Sequence, residues 1–260
     1  MTFEKQRIIA ALDEGIRFDG RKPLDYREIE ISLGGVKTAE GFARVKIGET
    51  EVLAGIKLSI DKPFPDTPDE GGIAVNAELP PMASPEFESG PPSDYAIELA
   101  RIVDRGIRES KAVDLKKLCI EPYEKAWFVN IDLWALNDSG NLIDAFGIAA
   151  ISALKNTFFP EYDGKIINYK KQTNKKLEVR KTPLPITVIK IGNHLIVDPT
   201  VEEESVLDAR LTVTTTEDDI ITALQKGGQT PLTMKEAKEM ISIALKKAKE
   251  IRKIIEKQTK

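Results

Sequence analysis

Apolar residues recur at helical spacing near the start of the chain, at Ile8, Ile9, Leu12 and Ile16. This predicts an amphipathic helix over residues 3–17, with Thr2 as its N-cap and Gly15 weakening its end. The period then changes to two. Ile29, Ile31 and Leu33 share one face, as do Ala43, Val45 and Ile47, so strands are expected over 28–33, 42–47, 51–60 and 73–79. Gly34-Gly35 and Gly48-Glu49-Thr50 punctuate these runs as turns, which suggests an antiparallel meander. The stretch 80–94 carries five prolines and reads as an ordered loop or lid. Ser93 or Asp94 then caps a helix whose apolar stripe is Ala96, Ala100, Val103 and Ile107. Residues 125–136 alternate around Trp127, Val129, Ile131 and Leu133 as a strand. Residues 141–156 are apolar nearly all round, the pattern of a buried helix packed on a sheet.

A polar, lysine-rich stretch follows over 160–183 and reads as a solvated linker, with a basic RNA contact as the alternative. Beyond it, strand-like runs cover 184–191, 194–197, 206–216 and 219–225. A last long helix starts at Thr233, with Glu236 completing a capping box. Its expected stripe is Ala237, Met240, Ala244, Leu245, Ala248, Ile251 and Ile255. Strands followed by helices thus occur twice, which predicts an α+β fold in two halves: 1–160 with the N-terminal helix, a linker over 161–183, and 184–260 ending in the long helix.

Composition narrows the function. The chain has 260 residues, 41% hydrophobic and 31% charged, with a net charge of −4. Its apolar runs fall far short of the ~18 residues of a membrane span. The charged N-terminus does not resemble a secretory signal, and the single cysteine, Cys119, has no internal partner for a disulfide. A cytoplasmic protein without membrane partners is expected. An acidic chain also needs a local basic feature to hold a polyanion. Arg101, Arg105 and Arg108 supply one, because i, i+4, i+7 spacing places them on one helix face. The row is either an anion site suited to phosphate or a solvated face paired with Glu98 and Asp104.

Other chemistry is sparse. One histidine, His194, and one cysteine leave no His/Cys zinc signature. No P-loop, dinucleotide fingerprint or nucleophile elbow is present. The acidic segment Asp198, Glu202, Glu203, Glu204 and Asp208 reads as an exposed turn, with an acid/base or Mg²⁺ site as the alternative. No metal or cofactor is assigned.

Several motifs in order carry a resemblance: Ile16-Arg-Phe-Asp-Gly-Arg21, the hairpin-like Gly41–Ala54, Asp61-Lys-Pro, Glu86-Phe-Glu-Ser-Gly-Pro-Pro and Glu98-Leu-Ala-Arg-Ile-Val-Asp-Arg105. Over nearly its whole length the chain resembles the RNase PH superfamily, and within it the non-catalytic ring subunits of the archaeal exosome. The resemblance implies an RNase PH-like fold with two βαβ-type halves. It also implies a hexameric ring of three heterodimers with a catalytic paralogue, and RNA-binding cap subunits on one face. RNA would be degraded from its 3′ end, with inorganic phosphate attacking at the partner's site. Active members carry Gly-Thr/Ser-Arg before the buried helix, where a helix N-terminus also favours an anion. Here those positions read Gly140-Asn141-Leu142. Active members also carry two aspartates six residues apart, matched here by Glu204 and Arg210. The resemblance therefore implies a subunit with no catalytic residues of its own. It implies that Arg101 and Arg105 reach single-stranded RNA near the partner's active site. Arg108 joins them by helical spacing alone and could instead serve a subunit interface.

Overall fold

A computed structural model describes residues 2–259. The N-terminal helix α1 (Phe3–Asp13) is capped by the Thr2 hydroxyl and buries Ile8 and Leu12. It stops four residues before the expected end. Gly15 takes φ +77°, a conformation glycine adopts freely, and the chain turns there. Ile16 is consequently exposed rather than part of the buried stripe, and Arg17 goes inside instead.

The first sheet contains β1 (Ile29–Leu33), β2 (Gly41–Ile47), β3 (Thr50–Asp61), β4 (Gly72–Glu78), β5 (Cys119–Glu121) and β6 (Lys125–Asn137). Its order is β1-β2-β3-β6-β4, with β5 beside β6. β1, β2 and β3 pair antiparallel in succession, as the meander pattern predicts, and β6 rather than β4 continues the antiparallel order beside β3. β4 pairs parallel with β6, which requires a crossover. Helix α2 (Asp94–Glu109) supplies it and packs on β4.

Helix α3 (Leu142–Lys155) buries every residue from Leu142 to Leu154. Such a helix needs apolar neighbours on all sides, and two sheets provide them. α3 packs against β2 and β3 of the first sheet and β9 (Leu184–Ile191) of a second. Gly147 permits the second approach, since a Cβ there would lie 2.2 Å from Pro185 Cγ. The second sheet is wholly antiparallel, in the order β10 (His194–Val197), β9, β11 (Ala209–Thr215), β12 (Ile221–Gly227). A short helix α4 (Val201–Ser205) precedes β11, which begins three residues after the expected start of that strand at 206. The long helix α5 (Met234–Gln258) has the expected Thr233/Glu236 capping box. It lays Met240, Ala244, Ala248, Ile251 and Ile255 against the core formed with β9 and β11.

The stretch read as a linker is ordered differently. β7 (Phe158–Tyr162) and β8 (Ile167–Lys176) form an antiparallel hairpin. Tyr162 and Ile167 pack on the main core, and Trp127 meets the Phe159 and Tyr162 rings edge-on. Among the described residues no helix is long and apolar enough to cross a membrane.

The two halves are also joined by buried charge. Arg17 donates from Nε to Glu203 Oε1 at 2.8 Å, and its Nη2 also meets that carboxylate. Removing one partner strands the other charge in a poorly solvated site, at a cost of about 3–5 kcal/mol. Arg17→Met should therefore lower the unfolding free energy by about that amount in urea denaturation, and adding Glu203→Leu should recover most of the loss. Equal stability of Arg17→Met and the parent chain would contradict this role.

Candidate functional site

Helix α2 presents the arginine row. The Ser93 hydroxyl caps it by accepting from the Ala96 amide at 3.2 Å. Ala96, Leu99, Ile102, Val103, Gly106 and Ile107 are buried, while Ala100, expected in the stripe, is half-buried. Arg101, Arg105 and Arg108 all lie on the exposed face.

The three arginines are not equivalent. Arg108 donates to both Asp104 oxygens, at 3.2 Å from Nε and 2.7 Å from Nη2, and to the Ile73 carbonyl at 3.0 Å. Its guanidinium is held by this i,i+4 pair, which also raises its pKa. Arg101 and Arg105 make no ion pair among the described residues. Glu98, the expected partner of Arg101, points elsewhere. It accepts from Arg210 Nη2 at 2.6 Å and Gln225 Nε2 at 3.0 Å. Arg101 and Arg105 lie on the wall of a cavity of about 520 Å³ between α2 and β12, which Asp94, Leu224, Gln225 and the Arg210-paired Glu98 also line. Arg101 additionally borders a larger groove of about 1090 Å³ along the proline-rich loop, with Phe87 and Trp134 in its lining.

The N-terminus of α3 is formed by Gly140-Asn141-Leu142. Leu142 is fully buried in the core. Asn141 adopts a left-handed conformation, φ 64°, and does not cap the helix with its side chain. Its Nδ2 donates instead to Asp144 Oδ2 at 3.1 Å and Asp198 Oδ1 at 2.9 Å. Its main-chain amide donates to Glu204 Oε1 at 3.0 Å. The amide end of α3, a natural seat for an anion, thus holds a carboxylate of the same chain. Asp138 sits beside it, accepting from the Gly140 amide at 2.9 Å. Gly140 is required here: its φ is +91°, and a Cβ would fall 2.4 Å from the Pro199 carbonyl oxygen.

The acidic segment is neither an exposed turn nor a convergent cluster. Asp198 is fully buried. It accepts from Arg21 Nη1 at 2.7 Å, from Arg27 Nη2 at 2.7 Å and from the Arg27 amide at 2.8 Å. Glu203 closes a capping box on α4 with Thr200 and pairs with Arg17. Asp208 binds Lys5 at 2.5 Å and the Gly192 amide at 2.7 Å. Glu202 is exposed, and Glu204 turns to α3. The expected exposed turn fails because these acids answer cations from the first 27 residues, distant in sequence. Among the described residues no three acids, histidines or cysteines are grouped to hold a metal ion. His194 Nε2 lies 2.8 Å from Asp13 Oδ1, at the surface.

The carboxylates around α3 have shifted acidities. Burial pushes Glu204 up to about 7; the Asn141 amide opposes this and nearby Asp138 reinforces it. Burial likewise raises Asp144 to about 6, against the Tyr26 hydroxyl bond of 2.6 Å. Asp198 moves the other way. Burial acts to raise it, but the Arg27 bonds and the charges of Arg27 and Arg21 together hold it below the usual carboxylate range. A raised acid stabilises the fold most while protonated, and that contribution is lost as pH climbs from the ordinary carboxylate range through the folded value. Glu204→Gln should therefore match the parent near pH ~4 and exceed it by about 1–2 kcal/mol near pH ~8, read by thermal unfolding across pH. A pH-independent difference would refute this assignment.

The chain was compared with known proteins. The 3′ exoribonuclease family matches as two domains, domain 1 over residues 25–160 and domain 2 over 181–247. The β7–β8 hairpin falls largely between them. The Exosome complex component Rrp42 of Thermococcus kodakarensis is 48% identical over 256 residues, covering 95% of this chain and 92% of that protein. The Methanosarcina acetivorans protein of the same name is 46% identical over 251 residues, covering 96% and 92%. Among solved structures, a chain of the Archaeoglobus fulgidus exosome with RNA bound to the active site superposes with a TM-score of 0.89 at 45% identity, covering 96% of each chain. A chain of an archaeal exosome core gives a TM-score of 0.85 at 41% identity, covering 97% of this chain and 96% of that one. With both domains of the family matched and these relatives alike over nearly its whole length, the chain belongs to the RNase PH, or 3′ exoribonuclease, family, on the branch of the archaeal exosome ring components.

Proposed function

We propose that this chain is a non-catalytic, RNA-positioning ring subunit of a phosphorolytic 3′–5′ exoribonuclease. One observation carries the reading: the amide end of α3 is filled by Glu204, while Arg101 and Arg105 on the neighbouring helix have no acidic partner among the described residues. Phosphorolysis needs inorganic phosphate held in line with the terminal phosphodiester. An anion entering here would meet Glu204 and Asp138, and buried Leu142 offers it no hydrogen-bond donor from its side chain. Arg210, at one of the two acidic positions of active relatives, is committed to Glu98. The paired carboxylates that general acid or metal chemistry would use are therefore not assembled in this chain.

The free guanidinium forks of Arg101 and Arg105 suit phosphodiester oxygens, and contacts of that kind position RNA without reading its sequence. In this reading the nucleophilic phosphate is bound, and the bond cleaved, on a catalytic paralogue whose site lies beside α2. Three such heterodimers close a hexameric ring, and RNA-binding cap subunits cover one face. The names and structures of the similar exosome proteins support that setting.

The purified chain in phosphate buffer should release no nucleoside diphosphates from RNA, and mixing with its paralogue should bring activity. Release by the chain alone would overturn the proposal. In the assembled ring, Arg101→Ala with Arg105→Ala should weaken single-stranded RNA binding about equally for different sequences. The salt slope should fall by about 0.7–1 per lost contact. Size-exclusion chromatography should show the ring intact. Its collapse would assign these arginines to a subunit interface.

A further inference from the structure

We propose that the lysine-rich strand β8 is a second contact for single-stranded RNA, holding it by its phosphates. This extends the chain's reading as an RNA-positioning subunit but rests on residues remote in sequence from α2, so either can fail alone. Residues 164–177 contain five lysines and no acidic residue, in a chain of net charge −4. Every β8 residue is exposed except Ile167 and Thr173, which are half-buried. A two-stranded ribbon is marginal by itself. This one is pinned to the body by polar side chains on main-chain carbonyls, the Tyr169 hydroxyl donating to Leu58 at 3.2 Å and Gln172 Nε2 to Glu40 at 3.3 Å, while the Thr173 hydroxyl ties it to Phe159 of β7 at 2.7 Å. The lysines are thus displayed on a fixed support.

Their charges are mostly unspent within the chain. Lys171 pairs with Glu161 at 2.5 Å. Lys165, Lys170, Lys175 and Lys176 have no ion pair among the described residues, and the ammonium groups of Lys175 and Lys176 stand over the Phe159 and Phe158 rings. Lysines also protect edge strands from pairing with other chains, a role compatible with binding an anion. A one-signed strand points to a polyanion. The mode of contact is also constrained. Tyr169 is the one aromatic residue on β8, and Lys57 Nζ occupies one face of its ring at 3.9 Å, so base stacking contributes little.

The location favours RNA over another anionic partner. Tyr169 anchors β8 at Leu58 of β3, beside the row in which Ser59, Phe128 of β6 and Gly72 at the start of β4 face one another. The adjacent β4 residue, Ile73, accepts from Arg108 at the last turn of α2. A strand crossing this end of the sheet from β8 would reach the foot of the helix that carries Arg105 and Arg101.

The test is fluorescence anisotropy of labelled oligouridylate on the full chain, repeated on the ring with its paralogue. The variant Lys165→Gln, Lys170→Gln, Lys175→Gln, Lys176→Gln should bind about tenfold more weakly at low salt, with a salt slope reduced by about 0.7 per contact. The corresponding four-fold Lys→Arg variant should bind like the parent, which separates charge from folding. Combining the glutamines with Arg101→Ala and Arg105→Ala should multiply the losses. Unchanged binding by the glutamine variant overturns the proposal, as does unchanged binding accompanied by failure to assemble, which would mark β8 as a protein interface. A loss with the glutamines but none with the alanines would sustain this site while refuting the role given to α2.

Discussion

The fold depends on one buried carboxylate. Asp198 lies on a left-handed turn, φ 46°, between β10 and α4, with no solvent exposure. Leaving it unpaired would cost about 3–5 kcal/mol, a large share of the whole margin of folding stability. Arg21 and Arg27 from the connection between α1 and β1, and Asn141 from the start of α3, meet it. Three segments distant in sequence thus converge on one charge. Arg27 also donates to the carbonyls of Ser139 and Gly140, at 2.8 and 3.0 Å. The entrance to α3 is therefore fixed by the same ion-pair network that joins the halves.

That constraint shapes the chemistry nearby. With the turn at Gly140 and Asn141 fixed, the α3 amides point at a defined spot, and what fills it determines what the site does. Glu204 reaches it from the end of α4, whose N-terminus is set by the Thr200–Glu203 capping box next to Asp198. The scaffold that would hold a phosphate is intact, and its occupant is internal. In the proposed non-catalytic role this would be a more economical change than dismantling the turn, because α3 is central to the core and moving it would disrupt both sheets.

Legibility in the sequence followed physical range. β2, β3 and β6 showed themselves by alternation, and α3 by apolar character all round, because each pattern reflects a local backbone period against a continuous apolar environment. The hairpin strand β8 did not. It has almost no buried face, and its stability comes from side chains bonded to distant carbonyls, which leave no period. The arginine row on α2 was visible by spacing, and so was the Asp104–Arg108 pair within it. The fate of Glu98 was not, because its partner Arg210 lies 112 residues away. The buried acids at 198 and 203 looked like a surface turn for the same reason. Opposite charges that meet across the chain leave no local mark.

Net charge alone would argue against the proposed polyanion ligand, and the distribution of pairs answers that argument. Arg17, Arg21, Arg27 and Arg210 are consumed by acids inside the fold, and Arg108 by its own helix. Pairing of this kind cancels most of the field around those cations. Uncompensated positive charge then remains where cations face solvent without acids, as at Arg101 and Arg105, and the acidic excess elsewhere is largely screened beyond about 8–10 Å at physiological salt. In the proposed role, what an RNA strand would meet is set by which cations the fold leaves unpaired, and Glu98, by turning to Arg210, leaves Arg101 among them.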